Sequence, residues 1–114
     1  MKECNFSYEE KSDDLFLFEH YRKSAQSISN GNFVLDYDAE GNLVGIEVMN
    51  ASTTLAECVK DEKASLLLLT SLKKCSFEMK KKEDIIILKL VLEGKTEVIH
   101  PILYLSLEKL QTTC

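Results

Sequence analysis

The stretch DYDAEGNLVGIE, from Asp36 to Glu47, constrains the fold of this chain more than any other segment. It joins two runs rich in β-branched and aromatic residues, FVLDY and LVGIEVM, which are typical of strands. Residues 38–40 suit a type I turn, and Gly41 suits the left-handed position that follows such a turn. The segment therefore predicts a β-hairpin. The cross-strand pairs expected of it are Tyr37 with Leu43 and Val34 with Ile46.

The same stretch also has the residue spacing of an EF-hand calcium loop. Its oxygen ligands, with Gly41 at the sharp turn, would be Asp36, Asp38, Glu40, the carbonyl of Asn42 and a bidentate Glu47. An EF-hand needs an amphipathic helix on each side, whereas both flanks here are β-rich. Because a strand rises ~3.3 Å per residue, Glu47 would lie too far from the turn to close a cage. We therefore favour the hairpin and expect no metal or other cofactor.

Further apolar runs predict further strands. CNFSY and LFLFEHY flank six polar residues and suit a hairpin, and CSFEMK alternates apolar with polar residues. IIILKLVLE is nearly all apolar, which is typical of a central strand covered on both faces. TEVIHPILYL would be its partner, and Pro101 should lie at an edge or a bulge because it has no N–H to donate.

Helical signals are fewer. Thr54 and Glu57 have the spacing of a capping box, which predicts a short helix over about residues 53–60. Residues 64–72 suit either a helix or a buried strand, and Asp61 would favour a helix start. The final segment SLEKLQTTC has a weak helical pattern. We therefore expect an α+β fold with an antiparallel β-sheet of about five to seven strands and one or two short helices.

The length of 114 residues suits a single domain over residues 1–114. Residues 1–59 would supply β-hairpins and a short helix, and residues 60–114 a helix or strand followed by a hairpin extension. The net charge of −5 repels phosphate backbones, so nucleic acid is not an expected partner. KKCSFEMKKK, residues 73–82, has five lysines that could suit a nucleic-acid strand. We favour the interpretation that these lysines protect an edge strand.

Membrane and export signals are missing from the sequence. No apolar run reaches the roughly 18 residues of a membrane span, and MKECNFSYEE has no apolar core of a signal peptide. The cysteines lie far apart without a C-x-x-C pair, which disfavours a zinc site. They are Cys4, Cys58, Cys75 and Cys114. We expect reduced thiols and a cytoplasmic location.

Other candidate chemical groups have no supporting motif. Cys75 and His100 could form a nucleophile–base pair, but we favour a structural role for each. Asp36 and Glu47 are better candidates for acid–base chemistry. On a hairpin with Asp38 opposite Asn42 they would lie on opposite faces, which weakens a shared role. The acidic loop that we expect to be merely solvated consists of Glu9, Glu10, Asp13 and Asp14.

YEEKSDDLFL, followed by VLDYDAEGNLVGIEVMNAS, resembles the small prokaryotic family known as domain of unknown function 2283. The positions that carry the resemblance are Tyr8, Asp13, Leu15, Phe16, Leu35, Asp36, Asp38, Gly41, Val44, Gly45, Ile46, Glu47, Ala51 and Ser52. They cover roughly the first half of the chain. The pattern departs at Glu10, where the family often has Pro, and at Asn32, where a usual Gly is displaced to Gly31. The resemblance implies a small antiparallel sheet with a helix, no known reaction, and at most a toxin-like protein partner.

These observations favour a non-catalytic interaction or regulatory module over an enzyme. Several strand candidates carry apolar residues on both faces, and two short helices can cover only one face of the sheet. An uncovered apolar face predicts self-association, and a homodimer is its commonest form. The alternative is a small enzyme or metal-binding protein that uses Asp36, Asp38 and Glu47.

Overall fold

A computed structural model describes the backbone of residues 2–20, 23–105 and 110–113, and the side chains of residues 3–20 and 23–105. Ten strands within these ranges form one antiparallel sheet. They are β1 (Lys2–Glu9), β2 (Asp14–Phe18), β3 (Gln26–Asn30), β4 (Phe33–Tyr37), β5 (Leu43–Val48), β6 (Lys74–Lys82), β7 (Ile85–Glu93), β8 (Val98–Ile99), β9 (Ile102–Leu105) and β10 (Leu110–Thr113). The order across the sheet is β10-β9-β7-β6-β1-β2-β5-β4-β3, and β8 pairs with β7 beside this path.

The first strand, β1, joins the two halves of the sheet because it pairs with different neighbours along its length. Its start pairs with β6, with Cys4 directly opposite Cys75. The remainder, from Asn5 to Glu9, pairs with β2. One half continues through β5, β4 and β3, and the other through β7, β9 and β10. The sheet curls, so that the inner faces of both halves share one hydrophobic core.

Alternation along β2, β4 and β7 decides which of their residues enter this core, whereas β5, which contains a bulge, buries four consecutive residues. On β2, Leu15 and Leu17 are buried, whereas Phe16 and Phe18 are only half-buried on the outer face. The same alternation holds along β7, which is central as expected but buries only one face, since Ile85 stays 44% exposed. The largest fully buried side chains of the core are Phe33, Leu15, Leu17, Ile46, Leu55, Leu69, Leu88, Leu90, Leu92 and Leu103.

Three short helical segments follow β5: α1 (Ala51–Thr54), α2 (Ala56–Val59) and α3 (Glu62–Thr70). Leu55 alone separates α1 from α2, so the two form one interrupted helical stretch, and the helical content agrees with the expected one or two short helices. The ambiguous segment 64–72 is helical up to Thr70. Its N-cap is Asp61, whose carboxylate accepts from the Ala64 N–H at 2.8 Å and so satisfies a free donor of the first turn.

The expected capping box at Thr54 is wrong. The helical stretch begins three residues earlier, after Asn50, whose φ of 51° places it in the left-handed region. Thr54 ends α1, and its hydroxyl donates to the Met49 carbonyl at 3.1 Å instead of capping a helix. A threonine can make this backward bond to a nearby carbonyl, which the spacing of Thr54 and Glu57 alone does not reveal.

The expected strand number is also wrong, because the sheet has ten strands rather than five to seven. One strand that the sequence did not predict is the edge strand β3. Its residues are mostly polar and four of its five positions are exposed, so it shows no apolar alternation. Pro101 was expected at an edge or a bulge of one strand, but it divides that strand into β8 and β9. Its carbonyl accepts from the Leu90 N–H at 2.9 Å. Residues 110–113 form β10 rather than a helical tail, and the rest of that tail, residues 106–109 and 114, lies outside the described residues.

In the part of the chain that the structure describes, no helix is both long enough and apolar enough to cross a membrane.

Candidate functional site

A polar cluster around Asp13 connects the β1–β2 turn to the first helix. The Asp13 carboxylate accepts from the Tyr8 hydroxyl at 2.5 Å, the Ser52 hydroxyl at 2.7 Å and the Ser52 N–H at 3.0 Å. Its backbone carbonyl accepts from the Ala51 N–H at 2.9 Å. Asp13 thus satisfies donors in the first turn of α1, where Asn50 makes no side-chain cap.

The pKa values of Asp13 and Tyr8 in this cluster are shifted in opposite directions. Burial alone would raise the pKa of the Asp13 carboxyl, but hydrogen bonds from Tyr8 and Ser52 outweigh burial and hold this pKa below its ordinary value. Burial and the bond to Asp13 raise the pKa of the Tyr8 phenol. Tyr8 therefore keeps its proton and Asp13 its charge near neutral pH. The hydrogen bonds of Asp13 to Tyr8 and Ser52 thus act as a structural clamp between the β1–β2 turn and α1.

The expectation that Asp13 is merely a solvated loop residue is wrong. Its φ of 58° is a left-handed conformation that Asp tolerates better than most residues, and this conformation belongs to the turn that carries the carboxylate to α1. Tyr8, Asp13 and Ser52 are all positions of the family pattern. That pattern was the one signal in the sequence that could have linked them, because Ser52 lies 39 residues beyond Asp13.

The β4–β5 hairpin is confirmed, together with its pairing of Tyr37 and Leu43. The expected pair of Val34 with Ile46 is wrong, because the register shifts between Asp36 and Tyr37 and places Val34 opposite Glu47. Val44 is the extra residue of this bulge, and its carbonyl accepts from the Glu19 N–H at 2.9 Å, outside the hairpin.

The bulge also overturns the expectation that Asp36 and Glu47 lie on opposite faces. Asp36 now pairs with Gly45 and Glu47 with Val34, so both carboxyls lie on the outer face. Burial raises the pKa of the Glu47 carboxyl, and the charges of Asp14, Asp36 and Glu9 raise it further. The Asp36 carboxylate accepts from the Ser27 hydroxyl at 2.5 Å. The outer face of this half-sheet therefore carries a group of acidic side chains around Glu47.

The turn itself uses the Asp38 carboxylate internally. One oxygen accepts from the N–H groups of Glu40 at 3.0 Å and Asn42 at 2.8 Å, and the other accepts from the Asn42 side-chain amide at 3.2 Å. Gly41 has a φ of 84°, as the turn assignment requires. Glu47 lies in the body of β5, so these residues form a closed turn rather than a cage. Among the described residues, no group of three or more His, Cys, Asp or Glu side chains could hold a metal ion.

Cys75 and His100 are not brought together. Cys75 is buried on the inner face of β6, whereas His100 is exposed in the gap between β8 and β9. Burial, and then the neighbouring Cys4 and Glu3, raise the pKa of the Cys75 thiol to about 12. A thiol held in its neutral form is a poor nucleophile.

The cysteines also correct the expectation of reduced thiols. Cys4 and Cys75 are free, but Cys58 is disulfide-bonded.

The lysine-rich strand β6 lies within the sheet over its first half. Its described pairing with β1 ends at the pair of Phe77 and Lys2, while its pairing with β7 continues to Lys82. Lys80, Lys81 and Lys82 therefore lie on a stretch with one described neighbour, where positive charge discourages the addition of a strand. The sequence places the other two lysines, Lys73 and Lys74, at the paired end.

Residues 5–52 match the model of a family described as Protein of unknown function (DUF2283). The match spans β1 from Asn5 to the start of α1, and so includes the clamp from Tyr8 to Ser52. The chain is also similar to an uncharacterised protein of Methanocaldococcus jannaschii, with 33% identity over 45 residues that cover 40% of this chain and 39% of the relative. The chain thus aligns with about two fifths of that relative's length. No solved structure matches the chain.

Proposed function

We propose that this chain is a non-catalytic module that associates with itself through the outer face of β7 and β9. The observation that carries this proposal is a row of apolar side chains on that face. Ile87 lies opposite Tyr104 in the sheet, and the adjacent outer position of β7 holds Ile85. Ile85 is 44% exposed and Tyr104 is 37% exposed. A contiguous apolar surface of this kind marks a binding face.

Further apolar positions follow on both strands beyond Lys89, which occupies the middle outer position of β7. Ile102 lies on β9 opposite Lys89, and Val91 occupies the next outer position of β7. Both are half-buried. Burying such side chains against another molecule removes apolar area from water at ~25 cal/mol per Å², which is the term that drives most associations.

We propose a second copy of the chain as the partner, because two-fold self-association is the commonest assembly of soluble proteins. On β6, Lys82 and Lys80 lie beside Ile85 and Ile87 at one end of the row. Glu93 occupies the last outer position of β7 at the other end. Lys74 lies opposite Glu93 and Glu78 lies opposite Lys89, so both ends of the row carry lysine and the proposal rests on the apolar row itself.

The polar groups described above support a non-catalytic role. The carboxylate of Asp38 is engaged within its own turn, and that of Asp36 with Ser27. The pKa of the Tyr8 phenol is raised and the pKa of the Asp13 carboxyl is lowered, so neither group changes its protonation state near neutral pH. We place the module in the cytoplasm, which the free thiols of Cys4 and Cys75 support. The disulfide of Cys58 does not add to this support, because disulfides are rare in that compartment.

Light scattering at micromolar concentration tests this proposal. We expect a mass of twice the 13.0 kDa chain, and a shift towards the single-chain mass in Tyr104→Lys, which places a charge in the row. The matched control is Leu67→Lys on α3, where the apolar side chain is 64% exposed and belongs to a helix rather than to the outer face of β7 and β9. The control should keep the mass of the parent protein. A parent mass of 13.0 kDa across a tenfold dilution, or equal dissociation in both variants, would contradict the proposal.

A further inference from the structure

Cys4 and Cys75 form a pair of free thiols at the junction between the two halves of the sheet. They occupy directly opposite positions of the antiparallel strands β1 and β6, and both side chains point to the inner face. Directly opposite residues of such strands have Cα atoms about 4.5–5.5 Å apart. A disulfide needs a Cα separation of about 4.4–6.8 Å, so the backbone already holds this pair within reach.

We propose that Cys4 and Cys75 are a modification site that closes to a disulfide by exchange with a small disulfide of the glutathione type. In the first step, the Cys4 thiolate attacks one sulfur of the small disulfide, forms a mixed disulfide and releases one small thiolate. In the second step, the Cys75 thiolate attacks the Cys4 sulfur and releases the second small thiolate. The chain loses two electrons, the small disulfide gains them, and the two protons of Cys4 and Cys75 end on the two released thiols.

Exposure decides the order of these steps. Cys4 is half-buried and can meet a small molecule, whereas Cys75 is only 2% exposed and cannot. Cys75 therefore acts as the resolving thiol, since the only sulfur that it can attack is the one that exchange has placed on its neighbour. The closed bond would tie β1 to β6, and so would fix the strand through which the two halves of the sheet are connected.

The surroundings of the pair make closure slow at neutral pH and faster in alkali. Burial raises the pKa of the Cys4 thiol to about 11, and the nearby charges of Glu19 and Glu3 add to this effect. On its other side, Cys75 pairs with Leu92 of β7, an apolar residue that adds no charge beside the thiol. Because only the thiolate reacts, the rate of closure should rise about tenfold per pH unit between about pH 7 and pH 9.

The test is incubation of the full-length native chain with oxidised glutathione, followed by intact mass and by peptide mapping without reduction. We expect the parent protein to lose two hydrogens and to yield one new cross-linked pair of peptides, which carry Cys4 and Cys75. A peptide map taken before oxidised glutathione is added identifies the existing disulfide of Cys58, so that it is not counted as a new cross-link. The rate at pH 7, 8 and 9 is read from the same experiment.

Two variants separate the steps. Cys75→Ala should stop at a glutathione adduct on Cys4, and Cys4→Ala should form neither an adduct nor a new bond. Should either variant fail to fold, the peptide map of the parent protein decides alone. A parent protein that accumulates a stable Cys4 adduct without the Cys4–Cys75 bond would overturn the proposal. So would a native chain that stays unmodified at pH 9 while the unfolded chain reacts.

Discussion

The hydroxyl of Tyr37 donates to the Sδ atom of Met79 across 3.7 Å, although three strands separate β4 from β6 in the sheet. Neighbouring strands lie ~4.8 Å apart, so a flat sheet would hold these two strands about 19 Å from each other. The contact therefore shows how tightly the sheet curls. It closes the inner face of the sheet on the side opposite β1.

Substitution of Met79 should open this closure. We expect Met79→Ala to lower the free energy of unfolding by about 1–2 kcal/mol, because a half-buried side chain loses part of its packing. Tyr37→Phe removes only the weak bond to sulfur and should cost at most about 0.5 kcal/mol. Urea unfolding measures both. The control is Lys80→Ala, the next residue on β6, which points outward and should change stability by less than about 0.5 kcal/mol. Equal effects of Met79→Ala and Lys80→Ala would contradict this account of the curl.

The Asp13 clamp gives stability a defined pH dependence. The folded state lowers the pKa of Asp13 from 3.8, so its contribution is present at neutral pH and is lost as the pH falls through that range. Asp13→Asn should cost about 2 kcal/mol at pH 7, since it weakens the bonds from Tyr8 and Ser52. The loss of stability between about pH 5 and pH 3 should also be smaller in this variant than in the parent protein. Parallel stability curves for the two proteins would show that the carboxylate has no such role.

Local patterns predicted the strands well wherever one face of the sheet is buried. The hairpin at residues 36–47, the break at Pro101 and the N-cap at Asp61 all follow from short-range chemistry that the sequence displays. Polar β3 escaped prediction because an edge strand with exposed side chains needs no apolar alternation. Its place in the sheet comes from a tight hairpin with β4, in which Asn30 pairs with Phe33.

The site was less predictable than the fold. Asp13 meets Ser52 only because the β1–β2 turn reaches the start of α1, a contact that no local pattern specifies. The face occupied by Glu47 depends on one extra residue, Val44, in the β5 register. A shift of one residue reverses the face of every following side chain, so a small error in turn geometry becomes a large error in the site.

Glu47 should show the opposite pH behaviour to Asp13. Its pKa is raised from 4.5 by burial and then by Asp14, Asp36 and Glu9, so the folded state loses stability as the pH rises through this raised value. Glu47→Gln should therefore stabilise the protein at pH 7 by about 0.5 kcal/mol, the size of a cross-strand charge repulsion. The gain should vanish below about pH 4, where the parent carboxyl is protonated. Thermal melts at the two pH values measure it, and a variant less stable than the parent protein at pH 7 would refute this prediction.

The left-handed backbone of Gly41 predicts a large cost for any side chain there. No atom lies within 4 Å of a Cβ built at Gly41, so the cost comes from the φ of 84° and not from a clash. Gly41→Val should destabilise the protein by at least about 1 kcal/mol, because a β-branched residue is most disfavoured in this region. Gly41→Asn, which tolerates the same conformation, is the matched control and should cost less. An unchanged melting temperature in Gly41→Val would contradict the turn geometry.

Calcium should have almost no effect on the stability of this protein. A ligand stabilises a fold only when the native state offers it a site, and the Asp38 carboxylate that an EF-hand loop would use already accepts from the N–H groups of Glu40 and Asn42. Asp36 is bonded to Ser27, and Glu47 lies opposite Val34 on the adjacent strand. Millimolar calcium should therefore leave the melting temperatures of the parent protein and of Asp36→Asn unchanged. A rise of several degrees in the parent protein that Asp36→Asn abolishes would show instead that the hairpin opens to bind the ion, and would return the metal-binding alternative to consideration.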